Sequence, residues 1–194
     1  MKLLIVYGST EGQTRKICNF LHTEAGKRNH EVVLNDSTAN PVSPKDFDAA
    51  IIAASLHAGK YQQAVSHYVR KNHYALNRIP SAFISVSLTA ASNEPKSWEE
   101  LKQITRKFLG NTKWTPRITE QVAGALRYME YNFFKRFIMR MIAQRQGGET
   151  DTSKDHEYTD WEQVKQVLVK LEKEVKNEMA KKTILDDEKT GHNS

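Results

Sequence analysis

The sequence predicts an α/β fold: a doubly wound parallel sheet of five strands in the order 2-1-3-4-5, helices on both faces, and a helical insertion after the fifth strand. Three observations carry this expectation. Short, mostly apolar, turn-bounded runs recur at Lys2–Tyr7, Asp48–Ala54, Ser81–Leu88 and Gln121–Leu126, the pattern of strands buried on both faces. Between them the apolar spacing changes to the helical period, and parallel strands need such crossover connections. At 194 residues the chain suits one α/β domain with an insertion better than two independent domains.

Taken in order, Lys2–Tyr7 is the first strand, and Ile17, Leu21 and Ala25 share one face of the helix after it. Glu31–Asn35 reads as an edge strand. Asp48–Ala54 follows, then a helix with Tyr61, Ala64, Val65, Tyr68 and Val69 on one face. After Ser81–Leu88, a third helix groups Trp98, Leu101, Thr105 and Phe108. The last helix aligns Trp161, Val164, Leu168, Leu171 and Val175, and Thr159-Asp160-Trp161-Glu162 has capping-box spacing at its start. We expect one domain over 1–182, with an insertion at 127–149 and a frayed polar tail at 183–194.

Composition narrows the function classes. The formal net charge is +6, with 39% hydrophobic and 27% charged residues, enough for a substantial core in a soluble protein. No apolar run approaches the ~20 residues of a spanning helix, and the N-terminal apolar run is too short for a secretory signal. The expected location is therefore the cytoplasm. A single cysteine, Cys18, excludes an intrachain disulfide, a CxxC pair and a multi-cysteine zinc site, and reads as a small core hydrophobe. The histidines are scattered without metal-ligand spacing, so no metal is expected.

The first strand runs directly into Gly8-Ser9-Thr10-Glu11-Gly12-Gln13-Thr14 and then a helix. Backbone N–H groups and hydroxyls there can converge on a phosphate at a helix N-terminus, where the dipole favours an anion. Gln13 and Thr10 stand where GxxxxGK[ST] and GxGxxG would need glycine, so neither motif is present. Lacking a lysine, the loop fits a monophosphate held by neutral donors. The same residues would also serve as an ordinary capping turn.

Here the sequence resembles the flavodoxin superfamily, whose Ser/Thr-x-Thr-Gly-x-Thr loop holds the FMN phosphate; Ser9, Gly12 and Thr14 fall on that pattern, with Thr10, Glu11 and Gln13 between them. Longer stretches resemble one branch, the menaquinone-dependent protoporphyrinogen IX oxidase (dehydrogenase) family. They are Ala54–Tyr61, Pro80–Leu88, Ala123–Tyr128, Gly147–Thr152 and Tyr158–Glu162. The resemblance covers roughly residues 1–165. It implies a flavodoxin-like fold, FMN, protoporphyrinogen IX as substrate, menaquinone or ubiquinone as acceptor, and a place in haem biosynthesis. Two-electron chemistry would rest on the flavin, with no catalytic side chain.

In such a fold ligands lie beyond the carboxyl ends of the strands. The expected flavin-binding set is therefore Ser9–Thr14 together with Ser55, Leu56, His57, Ala58, Gly59 and Tyr61 after the third strand. Ser87, Leu88, Thr89 and Ala90 after the fourth strand join it, as do Ala125 and Leu126 at the end of the fifth. His57 reads first as a solvent-exposed loop residue. Arg127, Tyr128 and Phe133 are the expected substrate contacts, because Arg pairs well with carboxylates and the aromatic rings can face a tetrapyrrole.

The insertion carries an apolar stripe of Phe134, Phe137, Ile138, Met141 and Ile142 beside Lys135, Arg136, Arg140 and Arg145. Seven basic against two acidic residues fall between Lys113 and Arg145. A basic amphipathic helix at 131–146 can lie on an anionic membrane, which would place the protein on the inner face of the cell membrane. It would equally cover core or pack against a second subunit in a homo-oligomer. Aromatic residues sit at helical spacing, not interleaved with Lys and Arg, so no nucleic-acid partner is expected. A flavodoxin-type carrier and a general quinone reductase are the alternative functions. The basic balance counts against the first, and no nicotinamide site is identifiable for the second.

Overall fold

The computed structural model describes residues 1–92, 94–126 and 156–190. Five strands form the parallel sheet: β1 (Lys2–Gly8), β2 (Glu31–Asp36), β3 (Ala49–His57), β5 (Ser81–Ser87) and β6 (Ile118–Ala123), in the order β2-β1-β3-β5-β6. Counting only these five, the order is the expected 2-1-3-4-5. A short β4 (Lys60–Tyr61) folds back antiparallel on β3.

The alternation along each strand sorts the core into two layers. Leu3, Ile5 and Tyr7 face α1 (Gln13–Lys27) and α4 (Trp161–Thr190), with Ile17, Leu21, Val164, Leu168 and Leu171. Leu4 and Val6 face the opposite layer, where Val65, Tyr68 and Val69 of α2 (Gln63–Leu76) meet Phe108 of α3 (Pro95–Thr112). Cys18 is wholly buried in the first layer, as a small hydrophobe would be. Trp114, which sequence spacing did not place, is 2% exposed; its Nε1 donates to Ser81 Oγ at 3.1 Å and its ring stands edge-on to Phe83.

Four expectations are corrected. Tyr61 belongs to β4, not to the second helix; its spacing to Val65 imitates a helical stripe, but the chain turns at Ala58-Gly59 and reverses. The fifth strand is divided at Gly124: β6 ends at Ala123, and β7 (Ala125–Leu126) leaves the parallel sheet to pair with β8 (His156–Glu157). The cap of α4 is Asp160, whose Oδ1 accepts from the amides of Glu162 and Gln163 at 3.0 Å. Thr159 instead donates to Ala123 O at 2.8 Å, tying the helix entrance to the end of β6. Finally, α4 continues to Thr190, through most of the stretch expected to fray. The apolar stripe at 131–146 lies outside the described residues.

Candidate active site

Register brings the loops together. Gly8 of β1 pairs with Ala54 of β3, Ser55 with Val86 of β5, and Ser87 with Ala123 of β6, so the chain leaves all four strands on one side of the molecule. Between those exits lies a cleft of about 360 Å³, within the range of small-molecule sites.

Its first wall is the β1–α1 loop. Gly12 takes φ 92°, a left-handed conformation suited to glycine, and its N–H donates to Ser9 Oγ at 3.0 Å. The helical bonding begins with Lys16 N–H donating to Gly12 O, so the amides of Gln13, Thr14 and Arg15 have no intrahelical acceptor. Thr14 is 1% exposed, lines the cleft, and its Oγ1 has no partner. A buried hydroxyl without a partner costs roughly 1–3 kcal/mol. An orphaned hydroxyl beside three free amides at a helix N-terminus is the donor set that a phosphate requires. Gly8 lets α2 approach, since a Cβ there would meet Val65 Cγ2 at 2.5 Å.

The second wall is the β3–β4 hairpin. Leu56 pairs with Tyr61 and His57 with Lys60, leaving Ala58 (φ 47°) and Gly59 (φ 75°) as a two-residue turn with both φ angles positive. Ser55, Leu56, His57, Ala58 and Gly59 line the cleft. Ser87, Leu88 and Thr89 supply the third wall, and Ala125 the fourth.

Thus the structure brings together most of the expected flavin set: Ser9, Thr10, Glu11, Gln13, Thr14, Ser55–Gly59, Ser87–Thr89 and Ala125. Gly12 shapes the loop without facing the cleft. Tyr61 does not line it; its hydroxyl is 2.9 Å from both Ser85 Oγ and Thr105 Oγ1, and burial raises its pKa. Ala90 faces a neighbouring depression, with Trp98 and Gln163. Leu126 is in β7, and Arg127, Tyr128 and Phe133 lie outside the described residues. The sequence reading missed Val86, Glu100, Ile104 and Gly124, which also line the cleft. Glu100 and Ile104 each precede a buried position of α3, Leu101 and Thr105, so they flank the helical stripe already legible in the sequence.

Beside this cleft the β7–β8 ribbon is clasped to the start of α1. Glu157 accepts from Lys16 Nζ at 2.7 Å and from Gln13 Nε2 at 2.9 Å, which lowers its pKa, chiefly through the lysine bond. Gln13 Nε2 also donates to Thr159 Oγ1 at 2.8 Å. Among the described residues no cluster of His, Cys, Asp or Glu could hold a metal.

Residues 4–153 match the model of the flavodoxin domain. The chain belongs to the flavodoxin-domain family. Within it, this flavodoxin-domain chain is 39% identical over 165 residues to an Escherichia coli protein named protoporphyrinogen IX dehydrogenase (quinone), covering 84% of this chain and 91% of that one. A Leishmania major protein of the same name is 36% identical over 168 residues, covering 84% of this chain and 71% of that one. Among solved structures, oxidised flavodoxin 1 from Bacillus cereus aligns at 14% identity and TM-score 0.48, over 75% of this chain and all of that one.

Proposed function

We propose that this flavodoxin-domain chain is an FMN-dependent oxidoreductase that oxidises protoporphyrinogen IX to protoporphyrin IX in haem biosynthesis and delivers the electrons to a quinone. The observation that carries this reading is 39% identity to a protoporphyrinogen IX dehydrogenase over 84% of the chain, joined to a cleft built around a buried donor set. Ser9, Thr10 and Thr14, with the free amides of Gln13–Arg15, would hold the phosphate. Their neutrality and the single loop favour FMN over a dinucleotide.

Bound there, FMN supplies reversible two-electron chemistry. The protein's part is to bind and orient. The β3–β4 hairpin and the β5 exit would both border a flat ring. Ile104 and Val86 add apolar surface to the lining of the cleft. Arg127, Tyr128 and Phe133 remain the proposed contacts for the carboxylates and ring of the substrate. Quinones dissolve in membranes, and the basic, Phe-rich 131–146 segment is the proposed contact with an anionic lipid surface; no helix among the described residues is long and apolar enough to cross one.

Anaerobic mixing of the oxidised holoprotein with protoporphyrinogen IX, NADH and NADPH side by side tests the reading. Protoporphyrinogen should bleach the flavin rapidly and menaquinone should restore the colour. Faster bleaching by a nicotinamide would instead make the protein a nicotinamide-dependent quinone reductase.

A further inference from the structure

Gln62 stands just before α2, outside the Ser9–Thr14 loop, yet its side chain joins the first two walls of the cleft. Its Nε2 donates to Thr10 Oγ1 at 2.9 Å and also to Ser55 Oγ, while those two hydroxyl oxygens lie 3.3 Å apart. Thr10 and Ser55 both line the cleft. The other amide atom, Oε1, is buried without a partner against Gly8, where a Cβ would come within 2.9 Å of it.

Counting protons shows what this triangle does. An amide nitrogen only donates, whereas each hydroxyl has one proton and two lone pairs. With both oxygens accepting from Nε2, one hydroxyl can donate to the other. The remaining proton has no acceptor inside the triangle and is available to the cleft. The reverse amide orientation would draw both hydroxyl protons inward and bury the NH2 group against Gly8. A buried carbonyl lacking a partner is the better tolerated of the two.

We infer that Gln62 is a positioning residue of the phosphate cradle: by donating to Thr10 and Ser55 together, it turns a hydroxyl proton toward the cleft and makes the neutral loop an anion receptor before the ligand arrives. The inference rests on the FMN reading of that loop. Gln62 itself touches no ligand; it acts through the two hydroxyls.

Riboflavin, which shares the ring and ribityl chain of FMN but has no phosphate, separates this role from mere bracing of the hairpin. The full chain, stripped of flavin, is titrated with FMN and with riboflavin as wild type, Gln62→Leu and Gln62→Glu. Gln62→Leu should weaken FMN about tenfold, the loss of roughly one oriented hydrogen bond, while riboflavin affinity changes less than about twofold. Gln62→Glu, an acceptor where a donor is needed, should weaken FMN further, again with little effect on riboflavin. Equal weakening of both ligands, or FMN binding unchanged in both variants, overturns the proposal while the cradle reading stands. If the wild type itself binds riboflavin as tightly as FMN, the phosphate reading of the loop fails and the role of Gln62 falls with it.

Discussion

Replacing Thr14 by Val should move folding stability and cofactor affinity in opposite directions. The side chain is 1% exposed and its hydroxyl is buried without a partner, so the flavin-free protein bears a desolvation cost of roughly 1–3 kcal/mol for that group. Valine has nearly the same shape without the hydroxyl. The flavin-free variant should therefore gain about 1 kcal/mol, a rise of about 2–4 °C in melting temperature for a chain of this size. Once phosphate is bound, the same hydroxyl donates to a charged oxygen, an interaction of roughly 1.5–3 kcal/mol. Its loss should weaken FMN about 10- to 150-fold. Thr14→Ser keeps the donor and should stay close to wild-type affinity. Thermal unfolding of the flavin-free protein and fluorescence titration with FMN read the two effects separately. A melting temperature lowered by several degrees would show that the hydroxyl is not an unpaired burden in the flavin-free protein, and FMN affinity unchanged in Thr14→Val would show that it does not serve the phosphate.

Gly8→Ala puts a Cβ 2.5 Å from Val65 Cγ2, a buried core atom, so it should cost roughly 1–3 kcal/mol in denaturant unfolding as α2 is pushed outward. Ala58 holds φ 47° at the hairpin turn, and Ala58→Gly should raise stability by about 0.5–1 kcal/mol, the left-handed penalty less the entropy of glycine. Glu157 has a pKa below its ordinary 4.5, so its clasp with Lys16 contributes stability above that pH and loses it as pH falls through the lowered value. With that side chain about one-third exposed, Glu157→Gln should cost less than about 1 kcal/mol at neutral pH, and the difference should vanish in acid-unfolding profiles below the lowered pKa. Lys135, Arg136 and Arg140 changed together to Gln should reduce cosedimentation with anionic vesicles while flavin is retained, because each basic residue contributes about 1 kcal/mol near such a surface.

What the sequence made legible was local or periodic. The parallel strands showed as apolar runs, α1 and α4 as stripes, and the cradle as glycine and hydroxyls packed into one strand–helix junction. The misreadings share a physical cause, in that distant partners decided the outcome. Thr159 has the spacing of a cap, but its hydroxyl is claimed by Ala123 O and Gln13, leaving Asp160 to cap α4. Tyr61 looks helical until the antiparallel return of β4 is known, and its hydroxyl then belongs to Ser85 and Thr105. Glu100, Ile104 and Gln62 reach the site from helices or helix starts whose placement follows from core packing, which no single window of sequence contains.

The charges suggest how labour is divided on the proposed function. The described cleft wall carries Glu11 and Glu100 and no lysine or arginine. A phosphate bound there would rely on the amides and hydroxyls of the loop, whose short hydrogen bonds would have to outweigh the repulsion of those carboxylates. A tetrapyrrole bearing carboxylates finds no counter-charge on that wall. The sequence holds five basic residues and one acidic residue between Arg127 and Arg145, in the stretch that issues from β7 and returns through β8. Both strands are anchored beside the cradle, β7 by Ala125 on the cleft wall and β8 by the hold of Lys16 and Gln13 on Glu157. On the proposed function, the strand-end loops would hold the cofactor's phosphate, and the basic segment between β7 and β8 would supply the charge that recognises the substrate's carboxylates.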